Sequence, residues 1–98
     1  MRYDFEWDPK KAKSNLRKHK VGFERATTIF RDPNLLSIPD RDHSEEEERW
    51  ITIALDESGT VLVTVHTFES HTTTDARIRM ISARKATKRE REQYEEGI

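Results

Sequence analysis

Apolar, aromatic and β-branched residues concentrate in five short segments of this chain, which is typical of the strands of a small sheet. In the first segment, aromatic residues at positions 3, 5 and 7 alternate with acidic ones. Gly59 ends the polar run DESG and suits a positive φ angle, so a tight hairpin is expected there. The predicted strands cover residues 3–7, 35–38, 49–55, 60–68 and 76–83.

Two signals predict a helical hairpin near the N-terminus. Asp8 is a suitable N-cap and Pro9 a suitable first helical residue, because proline's missing N–H would have no partner there. A helix over residues 9–18 follows. A second helix over residues 23–31 ends at the DPN segment, because Pro33 disfavours helix at the residue before it.

A capping box predicts a third helix. Thr87 and Glu90 match its S/T-x-x-E pattern, so a helix over residues 88–96 is expected. The resulting order is β-α-α-β-β-β-β-α. Short turns between sequential strands favour an antiparallel β-sheet meander, packed on one face by the N-terminal helical hairpin and the C-terminal helix. The sequence thus predicts an α+β fold, formed by a single domain over residues 1–98, with the other sheet face open to a ligand.

Composition excludes several classes of protein. The 98-residue chain has no cysteine, which removes disulfides, thiolate metal sites and a cysteine nucleophile. No apolar run approaches the roughly 20 residues of a membrane-spanning helix, and the N-terminus lacks the apolar core of a signal peptide. A soluble, cytoplasmic protein without membrane contact is expected. The four histidines lack the close spacing of metal ligands, and no glycine-rich phosphate loop occurs, so no metal or other cofactor is expected.

The charges are segregated, although the net charge is only −1. Residues 9–25 carry seven basic residues and one acidic residue, for a net charge of +6. Residues 40–48 carry six acidic residues and one basic residue, for a net charge of −5. Residues 77–91 again reach +6. Composition alone favours charges that simply solvate the helices over a basic face that meets an acidic partner.

The alternation of side chains along a strand predicts to which face of the sheet the arginines of the last predicted strand point. Arg77 and Arg79 share one face, and the apolar residues at 78 and 80 share the other. If the apolar residues meet the helices, the two arginines lie on the open face, and Arg84 follows at the strand end. Guanidinium groups bind phosphate through paired hydrogen bonds, so all three are candidate phosphate ligands. The alternative is pairing with carboxylates across the sheet, at Glu69, Asp75 or residues 45–48.

Three other features have both a structural and a functional interpretation. His66, on the penultimate strand, is a candidate general acid or base, or a satisfied residue at a packed edge. Tyr94, on the last helix, is a surface residue, a core anchor or a ring that stacks on a base. Lys18, His19 and Lys20, at the end of the first helix, contact RNA backbone or complement the helix dipole.

Three blocks of sequence carry a more specific pattern. They are FEWDPKKAKSNLRKHKVGFERATTIFRDP, IPDRDHSEEEERWITIAL and RIRMISARKATKREREQYE. In this order they resemble the BrnT family of type II toxin–antitoxin toxins, over nearly the whole length. The resemblance implies a RelE-like fold and a metal-independent endoribonuclease that inhibits translation. In that chemistry the ribose 2′-OH attacks the adjacent phosphate, and basic side chains stabilise the developing charge.

The resemblance also implies roles for residues. In the wider superfamily, an arginine at the end of the last strand and a tyrosine after it recur in catalysis, and the matching positions are Arg84 and Tyr94. Proton transfer is assigned to His66 or to Glu48, at the start of the third strand. The candidate catalytic residues are Arg84, Tyr94, His66, Arg79 and Glu48. The candidate RNA-phosphate-binding residues are Arg77, Arg79, Arg49, Lys18, His19 and Lys20.

The implied partners follow from the same resemblance. RNA is the substrate, and a cognate antitoxin with a ribbon-helix-helix DNA-binding part, similar to BrnA, neutralises the toxin. The complex is expected to resemble a 2:2 heterotetramer that contacts operator DNA only through the antitoxin. The alternative is a non-catalytic or degenerate toxin-fold protein, which binds antitoxin or nucleic acid without turnover. Such binding would be sensitive to salt.

One position departs from the family pattern. The family usually has glycine after the Lys-His pair, where this chain has Lys20. Glycine suits the left-handed end of a helix, and a lysine there costs about 1 kcal/mol. Gly22, two residues later, is therefore expected to take over the turn.

Overall fold

The computed structural model describes residues 2–43 and 47–97. Within these ranges the strands are β1 (Arg2–Glu6), β2 (Leu36–Pro39), β3 (Arg49–Leu55), β4 (Val61–Thr67), β5 (Glu69–Ser70) and β6 (Asp75–Lys85). The α-helices are α1 (Pro9–His19), α2 (Phe23–Thr27) and α3 (Lys88–Glu96), and 3₁₀ turns cover Thr28–Arg31 and Arg41–His43. The predicted α+β order is confirmed. In the part of the chain described, no helix is long and apolar enough to cross a membrane.

The strands form one sheet with the order β1-β6-β4-β3-β2. The last four of these make the predicted antiparallel meander. β1 lies at the other edge and runs parallel to β6, with Phe5 opposite Ile78. β5 adds a two-residue antiparallel pairing to β6, in a segment predicted as a turn. Gly59 has a φ angle of 84° in the β3–β4 turn, as expected from the sequence.

The two faces of the sheet bury different clusters. The hairpin α1–α2 packs as predicted on the face where Leu62, Ile78 and Met80 are fully buried. On the opposite face, Tyr94 of α3 packs against a smaller cluster that includes Val63. The sequence predicted that α3 would share a face with the hairpin. Instead the chain leaves β6 on the opposite side and α3 packs there, although Tyr94 also contacts the larger cluster. No other described helix covers that face.

The β3–β4 turn is held to the helical hairpin by a buried carboxylate. The side chain of Asp56 is 0% exposed and accepts a hydrogen bond from Arg25 Nε at 2.5 Å. It also accepts from the Ser58 hydroxyl at 2.6 Å and from the backbone N–H groups of Ser58 and Thr60, at 2.8 and 3.0 Å. Burial opposes ionisation, but these donors prevail and lower the pKa of Asp56 to about 2. α2 and the sheet are thereby fixed to each other.

The turn after α1 differs from the expectation. Lys20 itself takes the left-handed conformation, with φ 60° and ψ 27°, and its N–H donates to the carbonyl of Leu16. Gly22 has φ −80° and ψ 150°, which any residue adopts. The expectation that Gly22 would take over the turn is therefore wrong, because hydrogen bonding at the helix end requires the positive φ at position 20.

We expect Lys20→Gly to raise the free energy of unfolding by about 1 kcal/mol, because glycine adopts a positive φ angle without steric cost. Chemical denaturation monitored by circular dichroism measures the change. Lys18→Gly is the matched control: the same replacement inside α1 should lower stability by about 0.5–1 kcal/mol. Equal signs for the two variants would contradict the strain at Lys20.

Candidate active site

A β-bulge in β6 decides which arginines share a face. Strict alternation would send Arg84 to the face opposite the other two arginines of the strand. The register against β4 shifts by one residue between Met80 and Ser82, which leaves Ile81 without a partner. The extra residue reverses the phase, and Arg84 lies opposite Val63, away from α1 and α2. The arginines of β6 on the open face are thus Arg77, Arg79 and Arg84.

Two of the open-face arginines meet a carboxylate from the acidic segment. Nη2 of Arg79 donates to a carboxylate oxygen of Glu47, and Arg49 Nε lies 3.5 Å from the other oxygen. The predicted alternative of pairing with residues 45–48 is confirmed here for Arg79; residues 45 and 46 lie outside the described residues. Arg77 is exposed and has no ion pair within the described ranges. It stands beside Glu69 in the register.

Arg84 is held by α3. Its Nη1 and Nη2 donate to the two carboxylate oxygens of Glu90, at 2.7 and 2.9 Å. Glu90 also closes the predicted capping box with Thr87. The hydrogen bonds from Arg84 lower the pKa of Glu90 to about 2, and the same bonds raise the pKa of Arg84. The pair stays ionised at any physiological pH.

Tyr94 is a half-buried anchor in this arrangement. Its hydroxyl donates to Asp32, whose carboxylate also accepts from the backbone N–H groups of Leu55 and Asn34, both at 2.9 Å. Burial, followed by the hydrogen bond to Asp32 and the negative charge of that residue, raises the pKa of Tyr94 to about 12. The phenol therefore keeps its proton and holds α3 to the end of the sheet. Of the three predicted interpretations of Tyr94, the contacts favour the core anchor.

His66 lies on the other face and is only 2% exposed. Its Nδ1 lies 2.9 Å from the carbonyl of Thr67, so Nδ1 carries the proton. Nε2 then accepts from the Thr52 hydroxyl at 2.6 Å, and Thr52 in turn accepts from Ser37. The ring of Phe30 meets the imidazole edge-on at 4.9 Å. The structure thus separates His66 from the arginines, and its burial lowers the pKa.

Of the remaining predicted site residues, some lie near the arginines of the open face and others do not. Glu48 is exposed and lines a cleft of about 250 Å³ that Arg79 and Glu47 also line. Lys18 and Lys20 are exposed at the C-terminal end of α1, which packs on the opposite face. The structure therefore brings Glu48 to the arginines and leaves the basic end of α1, His19 included, apart from them.

For four supporting residues, the sequence did not indicate the contact that the structure shows. Asn15 is the buried residue of α1, and its amide bonds the backbone of Ala83 beside Arg84. Glu47 and Asp32 gave no signal that distinguished them from neighbouring acidic residues. The capping pattern did identify Glu90, but not its pairing with Arg84.

Comparison with known proteins identifies the family to which the chain belongs. A sequence profile described as the ribonuclease toxin BrnT of a type II toxin–antitoxin system matches residues 7–90. The chain belongs to the BrnT family. The crystal structure of the ribonuclease toxin BrnT from Brucella abortus superposes with a TM-score of 0.63 at 16% identity, over 90% of this chain and 100% of that one. No curated relative matches this chain by sequence.

The resemblance found in the sequence is therefore confirmed. The BrnT family places the chain among ribonuclease toxins of type II systems, which have an antitoxin partner and an RNA substrate. At 16% identity the Brucella structure supports the fold. The roles of individual residues rest on the contacts of this chain.

We expect Tyr94→Phe to lower the free energy of unfolding by about 1 kcal/mol, because the hydrogen bond to Asp32 is lost. RNA cleavage per folded molecule should remain, as an anchor takes no part in proton transfer. Tyr3→Phe is the control, since its hydroxyl has no hydrogen-bond partner within residues 2–43 and 47–97. Lost cleavage with unchanged stability would instead assign Tyr94 to the chemistry.

We expect stability to fall as the pH drops below about 6.5, because the unfolded chain then protonates His66 while the folded chain resists protonation. Urea denaturation between pH 5 and 8 measures this slope, and NMR titration of the native imidazole checks it independently. His71→Gln, at an exposed position, should keep the slope, and His66→Gln should flatten it. A normal titration of His66 near pH 6.5 would contradict its burial as a neutral ring.

Proposed function

We propose that this BrnT-family chain is a metal-independent endoribonuclease that inhibits translation and is neutralised by a cognate antitoxin. The observation that carries the proposal is the bulge in β6, which gathers three arginines on one open face. Guanidinium groups aligned along one face can bind successive phosphates of an RNA strand, and one at the scissile phosphate stabilises the additional charge of the transition state. The donor set thus supplies the electrostatic part of the chemistry from side chains alone.

The proposed reaction begins with attack of the ribose 2′-oxygen on the adjacent phosphorus. The 2′-OH loses its proton to a carboxylate, the bond to the 5′-oxygen breaks, and water protonates the leaving oxygen. Glu48 is our candidate base, because it is exposed in the cleft of Arg79 and has no ion pair with another described residue. Glu47 is the weaker candidate, since Arg79 and Arg49 already bind it.

The phosphate-binding set we propose is smaller than the predicted one. Arg79 lines the cleft, Arg77 lies two residues before it on the same face of β6, and Arg84 lies farther along that face, so an extended RNA strand can follow β6. The basic end of α1 lies away from this path and is assigned to the helix dipole instead. His66 is assigned to the core because its ring nitrogens are both hydrogen-bonded.

The antitoxin we propose is BrnA-like, with a ribbon-helix-helix part that binds operator DNA, in a 2:2 heterotetramer. The chemistry of the open face supports one part of this proposal, the binding of an antitoxin segment to the toxin. Ile38, Ile51 and Val65 form a cross-strand row on that face, and Ile38 is 58% exposed. Arginines border the row, so an amphipathic acidic segment of the antitoxin fits the surface and would cover the substrate path.

A non-catalytic role is the second candidate, and one observation favours it. Arg49, Arg79 and Arg84 each form an ion pair with a carboxylate of the same chain. A binding module with neutralised arginines would hold nucleic acid weakly and release it as salt rises, without turnover. Cleavage assays separate this role from the first.

We expect the purified chain, free of antitoxin, to cleave RNA in the presence of EDTA. Arg79→Ala and Arg84→Ala should each lower kcat/KM by about 100-fold, because one preorganised donor contributes about that factor. Lys88→Ala is the matched control, since it removes an exposed positive charge at the start of α3 and should change kcat/KM by less than about twofold. Salt-sensitive binding without any cleavage would establish the binding module instead.

A further inference from the structure

Glu90 occupies one particular edge of the Arg84 guanidinium. A guanidinium has five N–H donors in a planar fork. The carboxylate of Glu90 takes one donor from each terminal nitrogen, at 2.7 and 2.9 Å. The other hydrogen of Nη1 points to the carbonyl of Lys85, at 3.4 Å. Among the described residues, no acceptor meets the two donors left over, which are Nε–H and the second hydrogen of Nη2.

These two remaining donors lie side by side. Nε–H and the outer Nη2–H are parallel and form the second paired edge of an arginine, which matches two oxygens of a phosphate. Arg84 therefore presents one complete bidentate edge while its other edge is fixed. Because the guanidinium is planar, fixing one edge also fixes the direction of the other.

We propose that Glu90 is a positioning residue, which orients Arg84 so that its Nε–Nη2 edge receives the phosphate of the RNA. This role rests on the proposed ribonuclease function. Glu90 is itself immobilised: its Oε1 accepts from the backbone N–H of Thr87 at 2.9 Å, and its own N–H donates to the Thr87 hydroxyl at 3.2 Å. The cap thereby connects the start of α3 to the arginine.

The second anchor of α3 supports the same role. Tyr94 lies one turn after Glu90, and its hydroxyl binds Asp32. The helix is thus fastened at both ends, and Glu90 projects from the first turn with a defined direction. Preorganisation of this kind lowers the entropy lost when reacting groups are aligned. The negative charge of Glu90 also reduces the attraction of Arg84 for RNA. Glu90 therefore orients Arg84 but weakens its binding to RNA.

These two effects of Glu90 predict that kcat and KM respond differently to its replacement. In Glu90→Gln, the amide oxygen still caps the Thr87 N–H, but the charged pair with Arg84 is lost. We expect kcat to fall about tenfold or more, because the guanidinium is no longer aligned. KM should stay the same or fall, because the net positive charge of the face rises. A purely structural role for Glu90 would change stability and leave kcat per folded molecule as it was.

The experiment measures single-turnover and steady-state cleavage of RNA by the full chain, with wild type, Glu90→Gln and Arg84→Ala compared. Glu92→Gln is the matched control, since it removes an exposed carboxylate from the same helix. In the Arg84→Ala background, Glu90→Gln should have no further effect on kcat, as two residues acting as a unit are non-additive.

The possible outcomes are distinct. Unchanged kcat in Glu90→Gln, or an additive loss in the double variant, overturns the positioning role while the ribonuclease proposal stands. A rise in kcat would show that Glu90 competes with substrate for Arg84, and it also overturns the role. A wild-type chain that cleaves no RNA overturns the function and this inference with it.

Discussion

The β-bulge at Ile81 is the constraint on which the candidate site depends. Without the extra residue, alternation would turn Arg84 toward the apolar cluster under α1, where a guanidinium loses its hydration. With it, Ala83 takes the buried position, and Arg84 joins the open face opposite Val63. The same shift directs the chain toward the face on which α3 packs. One irregularity in the strand therefore sets both the arginine cluster and the helix that steadies it.

Asn15 fixes the strand directly after that irregularity. β1 pairs only with the first half of β6, so the second half has no strand beside it on that edge. The Asn15 amide takes its place: Oδ1 accepts from Ala83 N–H at 3.0 Å, and Nδ2 donates to the Ala83 carbonyl at 2.8 Å. Nδ2 also donates to the carbonyl of Val21, which connects the turn after α1 to the same side chain. A single side chain thus satisfies backbone groups that would otherwise be buried without partners.

Local chemistry predicted most of the fold, because the caps, turns and alternation each involve residues close in sequence. The strand at 49–55 and the helix at 88–96 were predicted at their observed bounds. The parallel pairing of β1 joins residues that are far apart in the sequence, and no local sequence pattern predicts it. Within the site, strand period predicted the direction of Arg77 and Arg79. It could not predict the bulge, nor that Glu47, among several equivalent acidic residues, would meet Arg79.

The parallel pairing of β1 with β6 determines when β1 can join the sheet during synthesis. β1 is synthesised before every other described strand, yet its only neighbour in the sheet is the last of them. Closing so long a loop costs more entropy than forming any hairpin of the fold, so this pairing depends on contacts already made by the meander. A translation product that stops before β6 keeps Arg49 of β3 but lacks Arg77, Arg79 and Arg84. Such a product also leaves β1 without its partner strand, so one segment of chain completes both the sheet and the arginine cluster.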